Sequence, residues 1–137
     1  MLVFGTEENF RRLCACETWN MDGTFKTCPV LFKQLFTLHY LVGNRAFPAL
    51  YCLLTGKSTV IYKRLFTEIR DLAGRLAIVI ATTKVMADYE PAIRNAITAC
   101  WVLWIVEGCL FHFTKCLREK VDSLGLKVSA TYDINAG

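Results

Sequence analysis

The chain has 137 residues, 54% of them hydrophobic, and a formal net charge of +4. That length predicts one domain with a substantial core rather than two. The longest apolar run, Ala99 to Val106, is broken by Glu107, well short of the roughly 18 to 20 residues that span a bilayer, so no membrane span is expected. The first residues include Glu7, Glu8, Arg11 and Arg12 with no apolar core or small-residue cleavage site, which does not read as a signal peptide and points to a nuclear or cytoplasmic protein that is not secreted. The seven cysteines are an odd number scattered through apolar surroundings, as expected of reduced thiols that pack as small core residues. The positive charge is compatible with a polyanionic partner, but it is modest and spread out.

In chain order, Trp19, Met21 and Gly23 alternate with Asn20, Asp22 and Thr24, which predicts a strand carrying an acid near its end. After Cys28-Pro29, the segment from Val30 to Val42 is rich in Phe, Leu and Tyr; Gly43-Asn44 supplies a turn, and Phe47 to Leu54 follows. These three stretches predict a strand meander. Ser58 is placed to cap a helix whose apolar face is Ile61, Leu65, Ile69 and Leu72, with Gly74 expected to end it. Leu76 to Ala81 and Lys84 to Asp88 are alternative strands, one of which should pair with the first. Glu90-Pro91 opens a helix bearing Ile93, Ala96, Ile97 and Cys100 on one face. Val102 to Val106 reads as a short buried strand. From Cys109, the residues Phe113, Cys116, Leu117, Val121 and Leu124 predict a last helix ended by Gly125. The order predicts a mixed sheet flanked by helices, with no internal repeat or linker.

Two segments carry candidate chemistry. In Asp22-Gly23-Thr24-Phe25 the acid projects from a strand, and the glycine beside it leaves room for a ligand. In Asp88-Tyr89-Glu90-Pro91 a second acid ends a strand just before a helix begins, where open α/β sheets bind ligands. Isolated acids in such places more often serve turns and helix caps. Brought together on neighbouring strands, two carboxylates suit Mg2+ or Mn2+, hard cations that keep several waters and accept a substrate phosphate as a further ligand. Glu90 is expected to favour its helix start through charge.

The chain from Trp19 to Leu126 resembles the Mutator-like-element (MULE) transposase domain. The resemblance rests on Trp19-x-x-Asp22-Gly23-Thr24-Phe25-Lys26, on Gln34 to His39, and on Pro48 to Leu54. It continues in Asp88-Tyr89-Glu90-x-Ala92, Asn95-Ala96, Gly108 to Phe113 and Gly125-Leu126. It implies an RNase H-like fold of the retroviral-integrase superfamily, with a three-strand antiparallel meander followed by alternating helices and strands. It further implies an active site of two aspartates and a glutamate that holds Mg2+ or Mn2+ for DNA cleavage and strand transfer at transposon ends. Asp22 and Asp88 match the two aspartates, as catalytic and metal-binding residues. Cys109 and His112 match a Cys-x-x-His signature that would line the active crevice.

The family's glutamate lies well downstream, after a helical insertion, and Gly137 comes before any such region. The resemblance therefore predicts a catalytic core cut short at its C-terminal end, lacking the third ligand, with exposed apolar surface and a tendency to self-associate. Glu107 and Glu119 are the substitutes at hand, and neither matches the family position. Zinc at Cys109 and His112 would need two further ligands, for which Cys14 and Cys16 are the other closely spaced pair. Lys26, Lys57 and Lys115 are the leading DNA-contact candidates, since phosphate binding requires only positive charge on a suitable surface. No zinc-finger or helix-turn-helix signature is present to read a target sequence, and no organic cofactor is implied. The expected function is that of a transposase-derived protein, with a non-catalytic DNA- or protein-binding remnant as the alternative.

Overall fold

The computed structural model describes residues 1–25, 28–88, 90–108, 120, 121 and 123–125. The elements run β1 (Leu2–Phe4), α1 (Glu7–Ala15), β2 (Thr18–Thr24), β3 (Gln34–Val42), β4 (Arg45–Leu54), α2 (Thr59–Arg75), β5 (Lys84–Ala87), α3 (Pro91–Cys100) and β6 (Ile105–Gly108). The six strands form one sheet in the order β1-β4-β3-β2-β5-β6. Strands β2, β3 and β4 are the antiparallel meander. Strand β5 then pairs with β2, and β6 with β5, both parallel. Parallel neighbours require crossovers, which α2 and α3 supply. A meander followed by alternating helices and strands is consistent with the RNase H-like fold.

Alternation along the strands sorts the sheet into two faces. Trp19, Met21, Phe36, Leu38, Cys52 and Val85 are buried on one face, where they pack with Phe10 and Leu13 of α1, Leu65, Phe66 and Ile69 of α2, and Ile93 and Ile97 of α3. Asn20, Asp22, Thr37, His39 and Met86 lie on the other face, half-buried. Trp19 is the hub of the core. Its indole N–H donates to the Leu13 carbonyl at 2.7 Å, and its ring meets Trp101 and Trp104 edge-on at 5.6 and 4.9 Å. Trp101 and Trp104 stack on each other at 4.1 Å. The three tryptophans thus tie β2 to the segment between α3 and β6, a packing role for large rings.

Several boundaries differ from the expectations, each for a local reason. Strand β3 starts at Gln34 rather than near Val30, because Phe32 N–H closes a turn onto Pro29 and leaves Val30 and Leu31 exposed. Helix α2 runs through Gly74. It ends in a Schellman motif, in which Ile78 N–H reaches the Ala73 carbonyl at 2.8 Å and Ala77 N–H reaches Gly74 at 3.2 Å. Ala77 takes the left-handed conformation, φ 54°, that such a motif requires. That turn stops Leu76 to Ala81 from being a strand, and β5 alone pairs with β2. Likewise, Trp104 N–H bonds back to the Trp101 carbonyl at 3.1 Å, so Val102 and Leu103 form an exposed turn and the last strand begins at Ile105. The expected helix from Cys109 to Leu124 lies largely outside the described residues.

Strand β1 and helix α1 are additional elements. The Thr6 hydroxyl caps α1 by accepting from Asn9 N–H at 3.1 Å. Glu7–Arg11 and Glu8–Arg12 pairs staple its exposed face at 2.8 and 2.7 Å. Exposed pairs of this kind contribute little to stability. No helix among the described residues is long and apolar enough to cross a membrane.

Ala77 occupies a position that glycine normally fills at low steric cost. Ala77→Gly should therefore stabilise the protein by up to about 1 kcal/mol, seen as a higher urea midpoint with an unchanged slope; a lower midpoint would contradict the strain assigned to it.

Candidate functional site

The site is built at the C-terminal ends of β2 and β5. Thr18, Trp19 and Asn20 pair in parallel with Lys84, Val85 and Met86, and Asp22 and Asp88 each come two residues after the last of these pairs. Asp22 lies in phase with Asn20, on the face opposite the buried Trp19 and Met21. Asp88 follows Ala87, the last residue of β5, immediately. Both aspartates are half-buried. On its other side Asp22 is paired with Thr37 of β3. The two acids the sequence singled out thus follow the paired stretches of two neighbouring strands, Asp22 within β2 and Asp88 just after β5.

Behind them lies a buried polar pair. Gln34, 1% exposed, continues the core phase of Phe36, Leu38 and Tyr40. Its amide nitrogen donates to the Gly56 carbonyl at 2.8 Å and to the Tyr62 hydroxyl at 2.9 Å. A Cβ added to Gly23 would come within 2.6 Å of the Gln34 amide oxygen, so any larger residue after Asp22 would force that hydrogen-bonded amide to shift. Tyr62 is itself buried, packed between Phe36 and Phe66. Burial first, and then the nearby charges of Glu90 and Asp88, push its phenol up to about 12 against the lowering effect of Gln34.

Glu90 stands at the N-cap of α3 but makes no side-chain capping bond there, and Pro91 takes the first helical position. Half-burial raises its carboxyl pKa, Lys57 opposes that shift, and Asp88 adds to it. Glu90 thus shares a neighbourhood with Asp88, Lys57 and Tyr62. Lys57 is exposed, just ahead of the Ser58 cap of α2, and its ammonium lies 5.7 Å from the centre of the Phe25 ring. The ends of β2 and β5 and the starts of α2 and α3 therefore lie at one end of the sheet.

Glu107 is exposed on β6, opposite Met86. It lies one strand farther from Asp22 than β5 does, and two residues back along the pleat from the level of Asp88. Among the described residues no group of three or more His, Cys, Asp or Glu is arranged to hold a metal ion. The donors at hand are a pair of hard carboxylate oxygen ligands on adjacent strands, a set that suits Mg2+ or Mn2+ completed by water and phosphate. Lys26, Cys109, His112, Lys115 and Glu119 lie outside the described residues.

Cys14 is fully buried, its thiol pushed up to about 11 by desolvation, while the Cys16 thiol donates to the Thr18 carbonyl at 2.9 Å. Burial likewise takes the Cys52 thiol to about 12. Cys14, Cys16, Cys28, Cys52 and Cys100 are all unbridged.

The MULE transposase domain model matches residues 18–116, and the chain belongs to that family. Among solved structures, it is similar at 11% identity to a chain of the simian T-cell lymphotropic virus intasome in complex with the PP2A regulatory subunit B56 gamma. That match covers 78% of this chain and 37% of the other, with a TM-score of 0.39. It is similar at 9% identity to the catalytic domain of the Mos1 mariner transposase, over 85% of this chain and 73% of the other, with a TM-score of 0.40. The chain thus spans little more than a third of the intasome chain. No curated protein matches it by sequence.

Gln34 and Tyr62 were not evident as site residues from periodicity alone, although a glutamine in phase with Phe36, Leu38 and Tyr40 is the signal that finds them. Gly23→Ala should cost about 1–3 kcal/mol, as overpacking against an anchored side chain does. Chemical denaturation checks this, and an unchanged midpoint would show that Gln34 yields freely.

Proposed function

We propose that this chain is a transposase-derived domain whose ancestral activity is metal-dependent DNA cleavage and strand transfer, and that Asp22 and Asp88 are its metal-binding residues. The observation that supports this reading is the parallel pairing of β2 with β5, with one family-matched aspartate near the end of β2 and the other immediately after β5. Asp22, fixed by its strand, and Asp88, at the mouth of the crevice, would hold Mg2+ or Mn2+. Such an ion, when bound, supplies Lewis-acid stabilisation of the charge that develops at a phosphodiester undergoing in-line displacement. The protein's own contribution is orientation: strand hydrogen bonds fix the carboxylates, and the helix starts at Ser58 and Glu90 frame the crevice.

Lys57 is the DNA-contact candidate that lies beside this crevice, close enough to influence Glu90. It would neutralise a backbone phosphate next to the acids. The DNA partner follows from the same reading, as does the nucleus as the place where the protein acts. The two-acid set favours a second reading at the level of present activity, in which the domain persists as a DNA- or protein-binding remnant without strand cleavage.

Titration calorimetry with Mn2+ and a supercoiled-plasmid nicking assay separate these possibilities. Wild-type protein should bind Mn2+, and Asp22→Asn or Asp88→Asn should weaken that binding by at least about ten-fold. Metal-dependent nicking lost in both variants would establish the enzyme. Salt-dependent DNA binding without nicking would establish the remnant. Lys57→Ala should reduce the slope of log affinity against log salt by about 1, and an unchanged slope would remove Lys57 from the DNA surface.

A further inference from the structure

We infer that Phe25 and Lys57 form a platform beside the end of β2 that takes an unpaired base of a DNA strand onto the Phe25 ring and its phosphate onto Lys57. The inference deepens the DNA-binding reading above, by naming an unpaired strand as the bound form, and rests on that reading.

Both side chains stand on backbone that is held from within. Gln34 is buried at the start of β3. Its amide oxygen approaches Gly23 so closely that an added Cβ would lie 2.6 Å away, and its amide nitrogen donates to the Gly56 carbonyl at 2.8 Å. One side chain therefore braces the segment that leads from Gly23 into Phe25 and the segment that leads from Gly56 into Lys57. Ser58, next along, accepts from Ile61 N–H at 3.3 Å to cap α2, which fixes the backbone on the far side of Lys57. The two side chains emerge together at the surface, with the Lys57 ammonium 5.7 Å from the centre of the Phe25 ring, within cation–π range.

With Lys57 in place, Phe25 is still 51% exposed, and it takes no part in the buried core. Single-stranded nucleic acid is held by this pairing of groups, an aromatic face on which a base stacks and a cation that meets the phosphate. A base within a duplex has its faces covered by its neighbours, so the ring can accept only one that is unpaired. Lys33, exposed in the same connection between β2 and β3 and anchored by its N–H to the Leu54 carbonyl at 2.8 Å, adds positive charge to that connection. Phe25 directly follows β2, on which Asp22 lies, so a base held there would bring its strand past the candidate metal-binding acid.

The test uses the full chain with a labelled single-stranded oligothymidylate and a labelled duplex of the same length, followed by fluorescence anisotropy. Phe25→Ala should weaken single-strand binding by about five-fold or more, whereas Phe25→Tyr, which keeps a ring, should retain it. Duplex affinity should be unchanged in Phe25→Ala, as should the slope of log affinity against log salt, which follows phosphate contacts. Unchanged single-strand affinity in folded Phe25→Ala, an equal loss on both forms of DNA, or wild-type protein that binds duplex alone would overturn the platform and leave the DNA-binding reading standing. A thermal melt shows whether Phe25→Ala is folded, and Phe25→Leu decides the matter should it not be. Wild-type protein that binds neither form would overturn the DNA-binding reading, and the platform with it.

Discussion

The parallel register between β2 and β5 is the constraint on which the rest of the structure depends. It is set before the strands begin. The Ala81 N–H bonds to the Cys14 carbonyl at 2.8 Å, and the Thr83 and Lys84 N–H groups share the Glu17 carbonyl at 3.0 and 3.1 Å. The Thr82 hydroxyl reaches the Cys16 carbonyl at 2.7 Å. These bonds fasten the entrance of β5 to the junction between α1 and β2. A slip of one residue would turn Asp88 to the opposite face and place Val85 outside the core. Trp19, clamped by Trp101 and Trp104, resists that slip from the apolar side.

From this constraint the layout of the candidate site follows. Parallel strands need crossovers, the crossovers are helices, and their starts fall at the same end of the sheet as the strand ends. That geometry assembles residues far apart in sequence: Asp22 and Gln34 from the meander, Lys57 and Tyr62 from the first crossover, Asp88 and Glu90 from the second. The chemistry is divided by burial. The aspartates are half-open to solvent, whereas Gln34 and Tyr62 are sealed behind them, where an unpaired polar group would be expensive.

Much of this was legible in the sequence wherever a local signal and the tertiary environment agree. The alternation around Trp19, Met21 and Gly23 predicted β2, the Ser58 cap predicted α2, and Pro91 predicted the start of α3. The pattern misled where an apolar run serves a turn. Leu76 to Ala81 looks like a buried strand, yet Ala77 is left-handed and Val79 is exposed. Val102 and Leu103 turn outward because Trp101 and Trp104 must stack. Helix α1 was missed although Thr6, its acidic first turn and the spacing of Phe10, Leu13 and Cys14 announce it. At the candidate site, motif order singled out Asp22 and Asp88. The partnership of Gln34 with Gly23, Gly56 and Tyr62 is a long-range contact that no local pattern encodes.

The most direct test of the central claim is a crystal structure grown in Mn2+, with the ion located by its anomalous scattering. The account predicts a peak within coordination distance of carboxylate oxygens from both Asp22 and Asp88, on the open face of the sheet. Carboxylates directed to opposite faces, or an ion held by other residues while this pair binds none, would contradict it.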